Sequence, residues 1–407
     1  MTVDMQARAE ERAGAPISGG KRILAPDLAR GAMLLLIALA NAAGVFLAST
    51  PGVDPTPHGP ERIWNVFLFL FVHARALPLF AMMFGYGLVQ FARRQDEAGR
   101  PPGAVRALLL RRNAWLFVFG LAHGVLLYSG DVLGAYGLIG IAFTLLLLRR
   151  GDRVHRLAPG YLILGALYLL VLGALVVRGL AAGAGPAAGV PTSDFPSVTA
   201  ASYPASLEAR VTEWPATVLT MLPMILFIWI GAWAARRRLL DDPARHRRLL
   251  RRGAAIGLTV AVLGGLPMAL LAGGFLHVDA ATGGHAKLLY ESAGLFGGIG
   301  YASLFGLLAL RVSTWPAGAR RHLPITALAA LGRRSLSGYL VQSVAWLVLA
   351  SPFALALGDR LGSPTFVAAG CAVLVWLATL AGAYLLHRRA RRGPAEVLLR
   401  RLAYGRR

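Results

Sequence analysis

The chain has 407 residues, 56% of them hydrophobic and 15% charged, with a mean hydropathy of +0.59 and a formal net charge of +23. That is more apolar side chain than a soluble core of this size buries, and apolar runs of about 18 residues or more recur, long enough to cross a hydrocarbon layer of about 30 Å as helix. The charge by itself suggests a binder of phosphate backbones, but the placement of the basic residues excludes nucleic acid as the partner and points to a lipid bilayer.

In chain order, residues 1–22 mix Ala, Gly, Arg and Glu without apolar periodicity and read as a disordered cytoplasmic tail. Ten apolar spans follow, at 31–49, 63–91, 114–128, 131–148, 157–180, 214–235, 254–276, 287–310, 328–350 and 365–387. The expected fold is therefore all-α, a polytopic integral membrane bundle of about ten transmembrane helices. It divides into an N-terminal five-helix half (23–180), a long extracytoplasmic connection (181–213), a C-terminal five-helix half (214–390) and a basic cytoplasmic tail (391–407).

All but six of the 42 Lys and Arg lie in the first 30 residues or in the connections 93–113, 149–156, 236–252, 311–334 and 388–407. The exceptions, Arg62, Arg75, Arg178, Arg210, Lys287 and Arg360, fall on the alternate connections or within or at the end of a span. Such alternation is the positive-inside rule and places both termini and the even-numbered connections in the cytoplasm of a cell with an inner membrane. No cleavable signal peptide is expected, because the first apolar run begins only after some thirty residues and continues directly into a spanning helix. Cys371, the one cysteine, allows neither an intramolecular disulfide nor a zinc framework of cysteines, and no metal site is expected.

Within hydrocarbon, each ionisable side chain marks a candidate site. Near the inner end of the first span, Asp27 and Arg30 stand three apart on one helical face, where they pair or cap the helix start. Asn41 lies deep in the same span. The second span carries His73 and Arg75 near the middle of the bilayer. Arg75 cannot shed its charge, so its guanidinium has to meet a carboxylate, backbone carbonyls or water. Two arrangements provide that: a polar cavity, or two half-helices with Arg75 near an interface.

The third and fourth spans carry Gly120 and Gly124, then Gly130, Gly134, Gly137 and Gly140, a small-residue stripe that predicts a tightly packed hairpin. Counting from the short turn Ser129-Gly130, His123 and Tyr136 lie at matching depth, roughly 10 Å below the outer end, where they could face each other. A neutral imidazole there can take a proton from a hydroxyl or amine, with Asp131 orienting it or binding a cation. The competing reading is a structural histidine bonded to a neighbouring carbonyl. Glu291 in the eighth span is placed to offset Arg75 or Lys287, and Gln342 in the ninth either lines the same cavity as Asn41 or holds helices together. Phosphate-cradling loops, His-Glu-x-x-His and the Gly-x-Ser-x-Gly elbow are missing.

Several motifs together resemble the YeiB-like membrane proteins. In the N-terminal half these are Asp27-Leu-Ala-Arg30-Gly31 leading to Asn41, Leu79-Phe80-Ala-Met-Met-Phe84-Gly85-Tyr86-Gly87, and the hairpin from His123 through Gly130-Asp131 to Tyr136-Gly137. In the C-terminal half, Ile299-Gly300-Tyr301-Ala-Ser303, Leu331-Gly332-Arg333-Arg334-Ser335-Leu-Ser337-Gly-Tyr339-Leu-Val-Gln342-Ser343 and Arg392-Gly393-Pro394 are similar to the family's domain of unknown function 418. The resemblance runs from about residue 22 to residue 402. The chain departs from the family pattern at Arg75, where Lys is common, and at Gly338, where Asn commonly precedes the tyrosine.

This group is similar in turn to the transmembrane acyltransferase clan, a fold-level analogy. The resemblance implies transfer of an acyl group from a cytoplasmic donor such as acyl-coenzyme A to an extracytoplasmic sugar, lipid headgroup or cell-wall intermediate. His123 would then be general base, and Arg75 and Tyr136 would hold the developing oxyanion or the acceptor. Arg111 and Arg112 would meet the donor's phosphates, and Asn41, His73, Asp131, Glu291, Tyr339 and Gln342 would line the substrate site. Asp27, Arg30, Gly85, Gly87, Gly130 and Gly134 are read as structural. A transporter or flippase with Arg75, Asp131 and Glu291 along its path, or a membrane scaffold, are the alternative functions.

Overall fold

The computed structural model describes residues 23–183, 187–316 and 322–405 and is 77% helical. The tail expected over 1–22 lies outside the described residues. The first half contains α1 (Leu24–Phe46), α2 (Pro60–Phe67), α3 (Ala76–Glu97), α4 (Pro102–Leu126), α5 (Leu133–Leu146), the short α6 (Asp152–His155) and α7 (Leu157–Ala181). Between the halves, β2 (Ser193–Asp194) pairs antiparallel with β1 (Ser49–Thr50), and the short α8 (Pro196–Thr199) follows. The second half contains α9 (Tyr203–Thr220), α10 (Ile225–Arg236), α11 (Arg247–Ala272), α12 (Ala280–Ser313), α13 (Leu323–Gly332), α14 (Ser335–Ala350), the short α15 (Leu357–Arg360), α16 (Pro364–Arg388) and α17 (Pro394–Tyr404).

Seven helical stretches are long and apolar enough to cross a membrane, namely Leu24–Phe46, Pro60–Glu97, Asp152–Ala181, Tyr203–Arg236, Arg247–Ala272, Ala280–Ser313 and Pro364–Arg388. Helices α5, α13 and α14 are apolar but shorter. Large aliphatic side chains such as Ile163, Leu164, Leu170 and Leu374 project outward and exposed. A soluble protein hides such faces; here lipid covers them, and the chain is an all-α, multi-pass membrane protein.

The connections sort to two ends. At one end Arg149 binds Asp96 through two bonds of 2.8 and 2.9 Å, Arg236 reaches Asp152 at 2.5 Å, and Arg93 and Tyr86 both bind Asp241, which ties together the basic connections after α3, α5 and α10. The segment expected as a basic tail continues this end as helix. α17 buries Leu399 and Ala403, and Glu396 Oε1 accepts the backbone N–H groups of Leu336 and Ser337 at the start of α14. At the other end stand the β1–β2 pair, α8, the α4–α5 turn and the Arg62 guanidinium, which caps the end of α11 through the Gly273 and Gly274 carbonyls at 2.8 and 2.6 Å.

Three expected spans are interrupted, the sixth of them only by a 3-10 turn over Leu222–Met224 between α9 and α10. The ninth splits at Arg333-Arg334 into α13 and α14, where Arg334 bonds the Ala330 and Arg391 carbonyls. The second is two half-helices: α2 runs into a π-turn over Leu68–Val72, His73 is extended, and Ala74 adopts a left-handed φ of 56° before α3 begins. Neither Pro nor Gly marks this break, so apolar periodicity reads straight across it.

Candidate functional site

Helices α4 and α5 pack as the small-residue stripe leads one to expect. A Cβ at Gly120 would stand 2.0 Å from the Gly134 backbone nitrogen, and one at Gly137 would stand 2.5 Å from that of Phe117. Glycine at both contacts lets the two backbones meet. The turn between the helices returns the chain so that Asp131 comes back onto His123.

Asp131 caps α5. Its Oδ1 accepts the Leu133 N–H at 3.0 Å and its Oδ2 the Gly134 N–H at 2.7 Å, with the Trp214 indole N–H 3.4 Å away. Three donors and a helix N-terminus converge on one carboxylate, an arrangement that favours negative charge. The indole reaches it because Gly124 and Gly134 carry no side chain; a Cβ at Gly124 would stand 1.9 Å from the ring.

His123 Nδ1 lies 2.9 Å from Asp131 Oδ1, an ion-pair approach set off the axis of the ring N–H rather than a formed hydrogen bond. On the far side of the ring, His123 Nε2 meets Ser343 Oγ at 2.7 Å. A carboxylate facing Nδ1 draws the ring proton there and leaves Nε2 to accept the serine hydroxyl. Asp131, His123 and Ser343 are 0%, 2% and 1% exposed. Three residues from the turn before α5, α4 and α14 thus stand side by side as acid, base and hydroxyl, joined by an ion-pair approach on one side of the ring and a hydrogen bond on the other.

Helix α14 lays Tyr339, Ser343 and Trp346 along one face at positions i, i+4 and i+7. The Tyr339 ring stacks 4.9 Å from the His123 ring. Its hydroxyl faces the Val132 backbone without forming a hydrogen bond, and the Trp346 indole N–H is likewise buried without a partner. Arg210, overlooked in the sequence, is buried and bonds the Leu126 and Leu127 carbonyls at 3.2 and 2.7 Å, which caps the end of α4 one turn from His123. Beside it, a small cavity of about 20 Å³ is lined by Tyr128, Ser197, Ser206, Arg210 and Trp346. That is room for about one water.

Arg75 stands apart from this centre. Its Nη2 donates to the Ala261 carbonyl at 2.6 Å and its Nη1 to the Tyr290 carbonyl at 3.3 Å, with the Tyr290 ring 5.2 Å from the guanidinium carbon. Gly265 and Gly297 leave the space it fills. In the broken helix beside it the Tyr301 hydroxyl donates to the freed Phe71 carbonyl at 2.8 Å, while Arg75 Nε is buried without a hydrogen-bond partner. The expected pairing of Arg75 with His123 around one substrate is therefore not formed, because the guanidinium is held by backbone carbonyls of α11 and α12.

The other expected residues are dispersed. Tyr136 does not contact His123 through its hydroxyl, which points to the Leu77 carbonyl at 3.3 Å while the ring stacks between Phe80 and Phe84. His73 is buried edge-on to Phe69 at 5.1 Å. Glu291 is exposed on α12, one turn after Lys287, and among the described residues forms no ion pair with Arg75, whose guanidinium is held by carbonyls. Gln342 Nε2 donates to the Leu34 carbonyl at 3.2 Å, joining α14 to α1, and Asn41 is half-buried on α1. Asp27 and Arg30 pair at 3.4 Å. Gly85 admits the Ile228 carbonyl of α10, where a Cβ would stand 1.9 Å away; Gly87 lies by Arg30 and Gly130 under the Tyr128 ring.

A multi-pass helical membrane protein with a buried aspartate–histidine–serine chain at its centre is the class these features define. The chain belongs to the YeiB-like family. It is 30% identical over 398 residues to uncharacterized protein YeiB of Escherichia coli (strain K12), covering 92% of this chain and 94% of that one. The family model described as a protein of unknown function (DUF418) matches residues 234–406. Uncharacterized protein YxaH of Bacillus subtilis (strain 168) is 27% identical over 217 residues, 48% of this chain and 51% of its own length. An uncharacterized 39.9 kDa protein encoded in the amylase 3' region of Bacillus acidopullulyticus is 36% identical over 126 residues, 31% and 34% respectively.

Proposed function

We propose that this protein transfers an acyl group across the membrane, with His123 as general base, from a cytoplasmic thioester such as acyl-coenzyme A to a sugar or lipid hydroxyl on the far side. The observation that carries the reading is the placement of His123. One ring nitrogen faces the Asp131 carboxylate at 2.9 Å and the other a hydroxyl at 2.7 Å, all inside an apolar bundle. An imidazole so held removes a proton from a hydroxyl as the oxygen attacks a carbonyl, and the carboxylate stabilises the imidazolium that results.

Topology supports the direction. With α4, α5 and the α13–α14 pair added to the seven long stretches, the chain crosses ten times, with the arginine-rich end and both termini in the cytoplasm of a cell whose inner membrane holds it. Donor phosphates would then meet the basic end, and the acceptor would approach from the end holding Arg210 and the small cavity. A transport path through Arg75, Asp131 and Glu291 finds less support, because Arg75 and Asp131 are held by separate partners and Glu291 lies on the exposed face of α12.

The test is acyl transfer by purified protein in nanodiscs supplied with labelled acyl-coenzyme A and a panel of sugar and lipid acceptors. Wild-type protein is expected to form acylated product, and His123→Ala to lose about 10²- to 10⁴-fold in rate. Product formed equally well by folded His123→Ala would remove the reading.

A further inference from the structure

Resting on the acyl-transfer reading, we infer that Ser343 is the nucleophile of this site and carries the acyl group as an ester between donor and acceptor. The inference starts from the hydrogen-bond capacity of His123. With the ring proton on Nδ1, neutral imidazole has its one lone pair on Nε2, and Ser343 Oγ stands 2.7 Å from it, with the Tyr339 carbonyl 3.3 Å away as the other acceptor open to the hydroxyl. An acceptor hydroxyl has nowhere to deliver its proton while the serine hydroxyl stays in place. Acylation of Ser343 removes that hydroxyl hydrogen and frees Nε2 for the second substrate.

The two half-reactions balance. Ser343 Oγ gives its proton to His123 Nε2 and attacks the thioester carbonyl; the tetrahedral intermediate collapses, the carbon–sulfur bond breaks, and the leaving thiolate takes the proton from Nε2. The acceptor hydroxyl then gives its proton to Nε2 and attacks the Ser343 ester, and the departing Oγ recovers that proton. Thioester and alcohol become ester and thiol with no further reactant.

Two buried donors flank the nucleophile on α14, the Tyr339 hydroxyl four residues before it and the Trp346 indole N–H three residues after. Buried donors without partners are costly, and both lie on the face of the helix that bears Ser343, where an oxyanion would develop. The ester also suits a site between two ends of a membrane. Donor and acceptor need never occupy the centre together, so each can enter from its own side.

An alkyl fluorophosphonate, which phosphonylates activated serines regardless of the natural donor, tests the nucleophile directly. With protein in nanodiscs and peptide mapping by mass spectrometry, the adduct is expected on Ser343, absent in Ser343→Ala and reduced at least about 100-fold in His123→Ala. Ser343→Cys, incubated with labelled acetyl-coenzyme A, is expected to hold the label as a thioester released by neutral hydroxylamine. A folded wild-type protein that leaves Ser343 unmodified, or equal labelling in His123→Ala, overturns the inference. Acyl transfer at the wild-type rate by Ser343→Ala also overturns it and leaves the transfer reading standing. Phosphonylated Ser343 without acyl transfer from any acyl-coenzyme A has the opposite meaning: it supports the nucleophile and rejects the transfer.

Discussion

His123 and Arg75 both sit deep in the bundle, both nearly fully buried, yet their surroundings differ in kind. Arg75 meets backbone carbonyls of α11 and α12 and the face of Tyr290, partners that can neither take nor give up a proton at ordinary pH. His123 meets a carboxylate and a hydroxyl, and the helix beside it holds two donors without partners. The first arrangement ties a broken helix to its neighbours; the second leaves protons able to move. Cost of burial alone does not distinguish an anchor from a reactive centre. Partner chemistry does.

The contrast is broken most severely at Asp131. Asp131→Asn keeps a side-chain oxygen for capping α5, but its amide cannot hold the imidazolium as a carboxylate does, and an NH₂ turned toward the ring favours the other tautomer. The acyl-transfer rate per folded molecule is expected to fall by about 10²- to 10⁴-fold, and because that NH₂ also faces the Leu133 N–H, stability should drop by about 1 to 3 kcal/mol. An unaltered rate in the nanodisc assay would make Asp131 a helix cap and nothing more.

Next in size is Gly124→Ala, which reaches the site through one side chain. Its Cβ would stand 1.9 Å from the Trp214 ring, so the indole has to move, and the indole N–H is one of the donors on Asp131. Misplacing the carboxylate is expected to lower the rate on the order of 10- to 100-fold, and overpacking to cost about 1 to 3 kcal/mol of stability. Unfolding measured by tryptophan fluorescence alongside the activity separates the two effects.

Much of the class of fold was legible because hydrocarbon is a demanding solvent: apolar runs long enough to span it, and charges sorted by end, leave a pattern in any chain. The α4–α5 hairpin was legible too, since its glycines and the His123–Asp131 pair lie within one short stretch of chain. Ser343 was not singled out although it stood in a recognised motif, because its partner is 220 residues away and one serine in an apolar helix looks like any other. The acceptors of Arg75 lie 186 and 215 residues from it, and the break that frees its neighbourhood falls at an alanine. Long-range pairing and a left-handed Ala74 are imposed by packing, which periodicity does not record.

Arg75 itself sharpens the comparison from the other side. Arg75→Ala empties the space its side chain fills against Gly265 and Gly297 and takes the second donor from two carbonyls that keep only their helical N–H, a loss of about 2 to 5 kcal/mol, so the protein should unfold at markedly lower temperature. The molecules that remain folded should keep the wild-type rate. Loss of rate per folded molecule would mean that the anchor reaches the substrate after all. Arg75→Lys is the smallest change of all. An ammonium has three donors and a shorter reach, and the cavity between Gly265 and Gly297 leaves it room to move toward the Ala261 carbonyl, the nearer of the two. The less well met Tyr290 carbonyl should then cost about 1 kcal/mol, a shift of a few degrees in unfolding temperature with unchanged activity. An anchor tolerates this exchange because it asks only for positive charge and donors within reach. A group that positions a substrate through the planar guanidinium fork would not, and a fall in rate without a fall in stability would reassign Arg75 from the framework to the site.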